Sequence, residues 1–301
     1  MTGRASGAAR PPHPRTAREM LDMARAFLER KELEEARLEA ELLVAHALGT
    51  DRLGLFLDLE RPVLDAEVDL ARDLLVRRGR REPVAYIVGQ REFYGRAFQV
   101  GPGVLIPRPE TELLVDRVRE VARERGADSA PARILDVGTG SGCLAVTLAL
   151  EVEGARVLAV DVSTRALEYA RANARRLGAV VEVVLGDGPG AALGGGLAGP
   201  FDWIVSNPPY VDPADRATLA PELVEYEPDE ALFAPAGDVD HWVRRLLDEG
   251  PALLAEGGRI FVELGVGQAQ RAPALAEERG FACRVHPDLA RIGRVLEAWR
   301  G

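Results

Sequence analysis

The fold is decided by a short apolar strand that runs directly into a glycine-rich turn, Arg133-Ile134-Leu135-Asp136-Val137-Gly138-Thr139-Gly140-Ser141-Gly142. The apolar residues predict a buried strand, and the segment from Cys143 to about Leu150 predicts a helix after the turn. Glycines at this place permit a tight turn and let a ligand approach backbone N–H groups at the helix N-terminus. Their spacing differs from the dinucleotide-binding pattern G-x-G-x-x-G. The stretch therefore predicts the first strand of an α/β sheet, followed by a ligand-binding turn.

Two further predicted strands also end in acidic residues. The strand Arg156–Val160 ends at Asp161, where a carboxylate can accept hydrogen bonds from both hydroxyls of a ribose. The strand Val180–Leu185 ends at Gly186-Asp187-Gly188, where Asp187 either accepts a hydrogen bond from an adenine amino group or simply opens the turn. Open α/β sheets bind ligands at the carboxyl ends of their strands, so we expect these groups to face one crevice.

A fourth predicted strand, Phe201–Val205, leads into a stiff loop, Ser206-Asn207-Pro208-Pro209-Tyr210. The prolines have a fixed φ and no N–H, so the loop neither continues a helix nor joins a sheet. It offers an amide oxygen, a backbone carbonyl and an aromatic ring within a few residues. Two such acceptors can hold a planar –NH2 group and stabilise the positive charge that develops when its nitrogen attacks an electrophile. Alone, the loop fits a simple tight turn equally well; the polar strand ends that precede it favour the catalytic interpretation.

The remainder of the chain predicts the rest of the sheet. Arg259–Leu264 is a fifth strand, a helix follows from Gln268 to Arg279, and the last two strands are Phe281–Val285 and Gly293–Trp299. The connection between these last two strands is too short for a helical crossover, so we expect antiparallel neighbours. The glycine-rich stretch 188–199 predicts a mobile surface loop. These elements make a Rossmann-like sheet of seven strands within an α/β domain over residues 109–301.

The N-terminal part of the chain predicts a different architecture. Residues 1–15 are rich in Gly, Ala, Pro and Arg without an apolar core, which indicates a disordered tail rather than a secretory signal. Residues 16–82 carry helical periodicity, beginning with a capping-box pattern at Thr16 and Glu19, and predict a helical bundle without a catalytic constellation. Residues 83–108 predict a β-hairpin connector, in which Val84–Val88 is the first strand. We expect the bundle to serve in substrate recognition.

Composition excludes several classes of protein. The net charge of −10 argues against a surface built mainly to bind polyanions, so no direct nucleic-acid partner is expected. Two cysteines, Cys143 and Cys283, provide neither a disulfide framework nor a metal site. No stretch of 18 uninterrupted apolar residues is present, so no membrane partner is expected either. These features are typical of a cytoplasmic enzyme, which we expect to be a monomer.

The glycine turn with Asp161 resembles the S-adenosylmethionine site of class I methyltransferases, and Asn207-Pro208-Pro209-Tyr210 resembles the signature of their amino-group branch. Five flanking segments resemble the peptide chain release factor glutamine N5-methyltransferase family: Pro83–Ile87, Arg91–Gly95, Ile106–Glu112, Glu227-Pro228 and Glu263–Gly265. The resemblance covers the chain from about Arg37 to its end. It implies methyl transfer from S-adenosyl-L-methionine to the side-chain amide of the glutamine in the Gly-Gly-Gln motif of class 1 peptide chain release factors.

The resemblance also implies roles for individual residues. The cofactor would be bordered by a set from the strand ends: Gly138, Thr139, Gly140, Ser141, Gly142, Asp161, Asp187, Gly188 and Asn207. The glutamine would be held by Asn207, Pro208, Pro209 and Tyr210, of which Asn207, Pro208 and Tyr210 are the candidate catalytic residues. The chain departs from the family at Gly188, where many members have an aromatic residue beside the adenine.

Three other functions remain open at this point. A ribosomal-protein glutamine methyltransferase would use the same chemistry on another glutamine. An adenine-N6 nucleic-acid methyltransferase would use the same loop on a flipped base, but the negative net charge and the lack of a basic target-recognition domain count against it. A non-catalytic cofactor-binding protein is disfavoured by the intact glycine turn, Asp161 and the complete Asn207–Tyr210 loop.

Overall fold

The computed structural model describes residues 13–125, 130–197 and 199–300. The chain divides into two compact units between Val88 and Gly89. Most of the predicted disordered tail, residues 1–12, lies outside the described residues. No helix within the described ranges combines the length and the apolar character needed to cross a membrane.

The described part of the first unit, residues 13–88, forms five helices: α1 Ala17–Arg30, α2 Ala36–Ala47, α3 Arg52–Leu57, α4 Asp65–Arg78 and α5 Val84–Val88. The Thr16 side chain caps α1 by accepting a hydrogen bond from the Glu19 backbone N–H (3.2 Å), as the capping pattern predicts. Apolar side chains from all the helices share one core, which includes Leu28, Leu43 and Leu55. The predicted helical bundle is therefore confirmed.

The predicted strand Val84–Val88 is wrong, because this segment is helix α5. Its first turn closes on Pro83, whose carbonyl accepts hydrogen bonds from the N–H groups of Tyr86 and Ile87 (3.0 Å each). The hairpin lies further along the chain, in strands β1 Gln90–Phe93 and β2 Arg96–Gln99. Tyr94 and Gly95 form its two-residue turn with positive φ at both positions.

The second unit contains the hairpin and a single seven-stranded sheet. The strands of this sheet are β3 Arg133–Val137, β4 Arg156–Asp161, β5 Val181–Leu185, β6 Phe201–Ser206, β7 Leu254–Glu263, β8 Ala282–Pro287 and β9 Gly293–Trp299. Its α-helices are α6 Glu112–Glu124, α7 Cys143–Glu151, α8 Thr164–Leu177, α9 Pro221–Tyr226, α10 Asp229–Leu232, α11 His241–Glu249 and α12 Ala272–Glu277. Short 3₁₀ turns cover Pro109–Thr111, Pro189–Gly194, Pro213–Thr218 and Gly250–Ala252.

The strand order β5-β4-β3-β6-β7-β9-β8 places the functional strand ends side by side. Strands β3 to β7 are parallel, and the chain goes from β3 to β4 on one side and returns to β6 on the other. The switch point therefore lies between the ends of β3 and β6, where a doubly wound sheet leaves a crevice. Strand β9 is antiparallel to both β7 and β8, so the predicted antiparallel end of the sheet is confirmed.

Two apolar layers enclose the sheet. On one face, Phe93 and Phe98 of the hairpin pack with side chains of α6, α7 and the sheet. On the other face, α11 and α12 supply Val243, Leu246 and Ala276. The glycine-rich stretch 188–199 contributes to this second layer, because Ala192 and Leu197 are buried there. The prediction of a surface loop is therefore wrong for these two residues.

Candidate active site

One cleft opens at the switch point of the sheet, with an empty volume of about 930 Å³ that is continuous with solvent. The ends of β3, β4, β5 and β6 all contribute to its wall. Among the residues that line it are all the predicted cofactor residues except one: Gly138, Thr139, Gly140, Ser141, Asp161, Asp187, Gly188 and Asn207. Gly142 is the exception. Pro208 and Pro209 also line the cleft, whereas Tyr210 does not.

Four amides of the glycine turn are already hydrogen-bonded within the protein. Gly138 and Thr139 both donate to the Val160 carbonyl oxygen (2.8 and 3.1 Å), and Gly142 donates to the Thr139 carbonyl oxygen (2.9 Å). Gly140 donates to the Asp161 Oδ2 atom (2.8 Å). The expectation that these four N–H groups would face a ligand is wrong, because strand β4 accepts from Gly138, Thr139 and Gly140, and the turn itself accepts from Gly142.

The glycines serve the turn in other ways. Gly138, Gly140 and Gly142 all have positive φ. A Cβ atom on Gly138 would meet nothing within 4 Å, so this position borders open space. A Cβ atom on Gly142 would lie 3.0 Å from the Cα atom of Ala170, so here glycine permits helices α7 and α8 to approach closely.

A buried asparagine braces the turn from behind. Asn173 on α8 donates through Nδ2 to the carbonyl oxygens of Ser141 (2.9 Å) and Gln99 (3.0 Å). Its Oδ1 atom accepts a hydrogen bond from the Gln99 N–H (2.7 Å). The side-chain amide is thus satisfied on both ends, and it joins the glycine turn to strand β2 of the hairpin.

The cleft carries negative rather than positive groups. Asp161, Asp187 and Glu230 line it, and no lysine or arginine from the described ranges does so. Asp136 lies fully buried under the glycine turn, where its Oδ2 atom accepts hydrogen bonds from the Thr139 hydroxyl (2.7 Å) and the Ala145 N–H (3.1 Å). Burial raises the pKa of Asp136 to about 7. Such a site suits a cationic ligand and opposes a pyrophosphate.

Asp161 occupies the end of β4 as predicted. Its Oδ1 atom accepts a hydrogen bond from the Ser163 N–H (2.9 Å), and its Oδ2 atom accepts the one from Gly140. Each carboxylate oxygen has a second lone pair, so the side chain retains acceptors for ligand hydroxyls. Burial raises the pKa of Asp161, since desolvation penalises the charged form.

The end of β5 differs from its prediction. Asp187 pairs with the guanidinium of Arg245 on α11 (2.8 Å), which also donates to the Asp187 backbone carbonyl oxygen (3.0 Å). The same guanidinium would lie 2.4 Å from a Cβ atom on Gly188, whose φ is +73°. Trp242, one turn earlier on α11, lines the cleft and lies 5.1 Å from the Arg245 guanidinium carbon, measured to the ring centroid. The aromatic side of the pocket therefore comes from Trp242, not from position 188.

The Asn207 loop is held at two points. The Ser206 hydroxyl donates to the Val137 carbonyl oxygen (2.7 Å) and ties the end of β6 to the end of β3. The Asn207 Nδ2 atom donates to the Thr111 hydroxyl oxygen (2.9 Å), which lies at the start of α6. Within the described ranges no protein group donates to Asn207 Oδ1, so this oxygen is available at the cleft.

Tyr210 rests on the turn that follows β7. A Cβ atom on Gly265 would lie 2.6 Å from the Tyr210 Cδ2 atom, so only glycine leaves room for the ring. The Tyr210 hydroxyl lies 3.4 Å from the Glu263 Oε1 atom. Burial and the neighbouring Glu263 carboxylate raise the pKa of Tyr210, so its hydroxyl stays protonated. The buried Gln268 fixes the turn by accepting a hydrogen bond from the Gly265 N–H (2.7 Å).

The segment before α6 is anchored by a buried glutamate. Glu227 accepts hydrogen bonds from the Ile106 N–H (3.0 Å) and from the Arg108 guanidinium (2.6 Å). One residue beyond Thr111, Glu112 accepts a hydrogen bond from the Tyr94 N–H of the hairpin turn (2.7 Å). The run from Ile106 to Glu112 therefore reaches the hairpin, the Asn207 loop and the end of α9.

Comparisons with known proteins identify the family of the chain. Residues 19–89 match the PrmC N-terminal domain family, and residues 110–238 match the methyltransferase small domain family. A release factor glutamine methyltransferase of Chlorobaculum tepidum is 46% identical over 281 residues, which are 92% of this chain and 95% of that protein. The protein of the same description from Geobacter sulfurreducens is 40% identical over 287 residues, 93% of this chain and 95% of the relative.

The chain belongs to the release factor glutamine methyltransferase family. A solved relative is the protein-(glutamine-N5) methyltransferase (release factor-specific) of Alicyclobacillus acidocaldarius, which is 33% identical, with a TM-score of 0.39 over 67% of this chain and 99% of that one. The predicted family and the class I methyltransferase fold are both confirmed. The cofactor of this family is S-adenosyl-L-methionine, which carries positive sulfonium and ammonium groups. The acidic, open cleft fits these groups.

Sequence reasoning missed five residues that support the site: Thr111, Glu227, Trp242, Glu263 and Gln268. Three of them, Thr111, Glu227 and Glu263, lie in segments that carry the resemblance. The sequence therefore marked these positions, but it did not show what each side chain does. Trp242 follows His241 in an amphipathic helix, where an aromatic residue gives no sign that it faces a ligand.

Proposed function

We propose that this protein transfers the methyl group of S-adenosyl-L-methionine to the side-chain nitrogen N5 of the glutamine in the Gly-Gly-Gln motif of class 1 release factors. The observation that carries the proposal is the position of Asn207: its amide oxygen, which no donor among the described residues contacts, lies on a stiff loop at the acidic cleft. A relative 46% identical that is described as a release factor glutamine methyltransferase supports the same substrate.

In this proposal Asn207 and Pro208 act on the nucleophile. The Asn207 Oδ1 atom and the Pro208 carbonyl oxygen accept the two N–H hydrogens of the glutamine amide. The nitrogen lone pair is delocalised in the free amide, and these acceptors favour the pyramidal nitrogen in which it becomes available. Because positive charge grows on nitrogen during attack, the two fixed dipoles stabilise the transition state more than the ground state.

The remaining loop residues position the substrate. Pro208 and Pro209 keep the loop rigid, so little conformational entropy is lost when the glutamine enters. The Tyr210 ring, seated on Gly265, provides an apolar surface beside the amide. When bound, S-adenosyl-L-methionine supplies the electrophilic methyl group.

The cofactor side of the cleft is proposed to use the strand ends. Asp161 would accept hydrogen bonds from the ribose hydroxyls, and the glycine turn from Gly138 to Gly142 would border the methionine part. Asp187, Gly188 and Trp242 all line the cleft, and Arg245 contacts both Asp187 and the Trp242 ring, so the adenine would bind against that ring. The role of Asp187 is limited by its ion pair with Arg245.

The test is methylation of an intact release factor by the wild-type protein and by Asn207→Ala, followed by mass spectrometry of the peptide that contains Gly-Gly-Gln. We expect one added methyl group on the glutamine with the wild-type protein. Asn207→Ala should lower kcat by about 10²–10³-fold while cofactor binding changes little. A folded variant with wild-type kcat would remove Asn207 from the mechanism. Methylation of a ribosomal protein or of adenine in nucleic acid, with the release factor left unmodified, would overturn the proposed substrate.

The helical unit is proposed to recognise the protein substrate. Its residues from 13 to 88 form no reactive constellation, but α3 exposes three apolar side chains, Leu53, Phe56 and Leu57. A release factor substrate also implies a cytoplasmic location. The monomeric state and the absence of a direct nucleic-acid partner stay predictions.

A further inference from the structure

The Asn207 side chain has two possible orientations that differ in chemistry. In one, its Nδ2 atom faces Thr111 and its Oδ1 atom faces the cleft; in the other, the two are exchanged. Only the first presents an acceptor to a substrate –NH2 group, since the second would set one N–H donor against another. The hydrogen bond from Nδ2 to the Thr111 hydroxyl oxygen (2.9 Å) corresponds to the first orientation.

The Thr111 hydroxyl decides between these orientations. It has one proton and can either donate to Asn207 Oδ1 or accept from Asn207 Nδ2. Thr111 is 1% exposed, so solvent water does not hydrogen-bond to this hydroxyl in place of a protein group. The residue stands at the N-cap position of α6, but its side chain makes no capping hydrogen bond. The hydroxyl therefore does not serve as a helix cap.

A second group faces the same hydroxyl. Glu263, at the end of β7, is 2% exposed, and the neighbouring Thr111 side chain lowers its pKa against the effect of burial. Within the described ranges no group donates to its Oε2 atom, while its Oε1 atom lies 3.4 Å from the Tyr210 hydroxyl. A buried carboxylate with an unfilled acceptor attracts the one proton that the Thr111 hydroxyl can donate.

We propose that Glu263 and Thr111 are positioning residues that orient the Asn207 amide. In this arrangement the Glu263 carboxylate accepts a hydrogen bond from the Thr111 hydroxyl, the Thr111 oxygen accepts one from Asn207 Nδ2, and Oδ1 is thereby held toward the substrate nitrogen. This inference rests on the proposed role of Asn207. Neither residue touches the reacting atoms in this arrangement. Glu263 acts through Thr111, and Thr111 acts through Asn207.

The charge on Glu263 controls the direction of the hydrogen bonds that link Glu263, Thr111 and Asn207. Burial raises its pKa to about 7, and the carboxylate of Glu110 adds to the rise, whereas Thr111, Arg294 on β9 and the Tyr210 hydroxyl oppose it. The buried Cys143 thiol on α7 also faces this charge; its own pKa is raised to about 12, so it stays neutral. Protonated Glu263 becomes a donor, so Thr111 is free to donate to Asn207 Oδ1. The productive orientation therefore belongs to ionised Glu263, and kcat should fall as the pH drops through about 7.

The first test compares single-turnover rates at saturating cofactor and release factor. Thr111→Val keeps the shape of the side chain and removes the hydroxyl, and we expect the rate to fall about 10-fold, the equivalent of one net hydrogen bond. Thr111→Ser should recover most of that loss. Thr147→Val is the matched control, because Thr147 is also fully buried and its hydroxyl has no partner among the described residues. This control should keep the wild-type rate.

The second test is a double-mutant cycle with Asn207→Ala. If Thr111 acts through Asn207, then Thr111→Val should cost almost nothing further once Asn207 is alanine. Independent losses that add in the double variant would overturn the inference, as would a wild-type rate for Thr111→Val. A wild-type rate for Asn207→Ala alone would instead refute the proposed function, so the two failures are distinguishable.

A third variant provides a test if the Thr111→Val protein does not fold. Glu263→Gln keeps the size of the side chain but can donate to Thr111 at every pH. We expect a reduced kcat that no longer changes between pH 6 and pH 8, with the thermal midpoint and cofactor affinity reported alongside. A Glu263→Gln protein with the wild-type pH profile of kcat would contradict the proposed role.

Discussion

The place of the Tyr210 ring against Gly265 gives a sharp prediction. In Gly265→Ala, the new Cβ atom would lie 2.6 Å from the Tyr210 Cδ2 atom and 3.0 Å from Cγ, both in a ring rather than at the end of a flexible chain. Gly265 cannot retreat easily, because its N–H is held by the buried Gln268 side chain (2.7 Å). The Tyr210 ring must therefore move.

The size of that movement follows from the contact. Ordinary contact begins at 3.4 Å, so the ring shifts by at least about 0.8 Å from its present 2.6 Å separation. A misplacement of about 1 Å next to a reacting group costs as much as 10²-fold in rate, so we expect kcat to fall about 10–10²-fold, with a higher KM for the release factor. Cofactor affinity should stay near the wild-type value, because Tyr210 is not part of the cleft wall.

The assay is single-turnover methylation of intact release factor, with the cofactor Kd and the thermal midpoint measured on the same preparation. Gly194→Ala is the matched control, since a Cβ atom at this exposed glycine meets nothing within 4 Å. It should leave all three quantities unchanged. A Gly265→Ala protein that folds, binds cofactor and turns over at the wild-type rate would refute the idea that Gly265 seats Tyr210 for catalysis.

Three further predictions concern the cofactor and the substrate. Asp161→Ala should weaken S-adenosyl-L-methionine binding by about 1–3 kcal/mol, measured by calorimetry, because ribose hydroxyls lose their acceptor. Cofactor affinity should rise with pH through about 7, since burial raises the pKa of Asp136 to about 7 and its ionised form attracts a cationic ligand; a pH-independent Kd would contradict this. Leu53→Ser with Leu57→Ser on the exposed face of α3 should raise KM for the intact release factor and leave turnover of a short Gly-Gly-Gln peptide unchanged, and equal effects on both substrates would argue against a recognition role.

The sequence predicts the elements with strong local patterns. The strand–turn–helix at Arg133–Glu151, the final strand Gly293–Trp299 and the loop at Asn207 follow from apolar runs, glycines and prolines that act within a few residues. Val84–Val88 could not be assigned correctly in this way, because five apolar residues in a row fit a buried strand and a short helix equally well. Its conformation is decided by helix-type hydrogen bonds to Pro83.

The supporting residues of the site depend on long-range geometry. Thr111 and Asn207 are separated by 96 positions, and Tyr210 and Glu263 by 53, so only the strand order brings each pair together. The amides of the glycine turn show the same limit. The hydrogen bonds from Gly138 and Thr139 to Val160 require the parallel pairing of β3 with β4, which no local pattern reveals.

The buried Asn173 amide has a consequence for local opening of the protein. It hydrogen-bonds strand β2 through Gln99 and the glycine turn through Ser141, so separating the hairpin from α8 would leave polar groups unsatisfied in an apolar interior. Hairpin and turn should therefore open together as one cooperative unit, with matched rates of amide hydrogen exchange. A ligand that binds only the closed turn would then slow exchange in strand β2, where it makes no contact, and the hairpin would report cofactor occupancy.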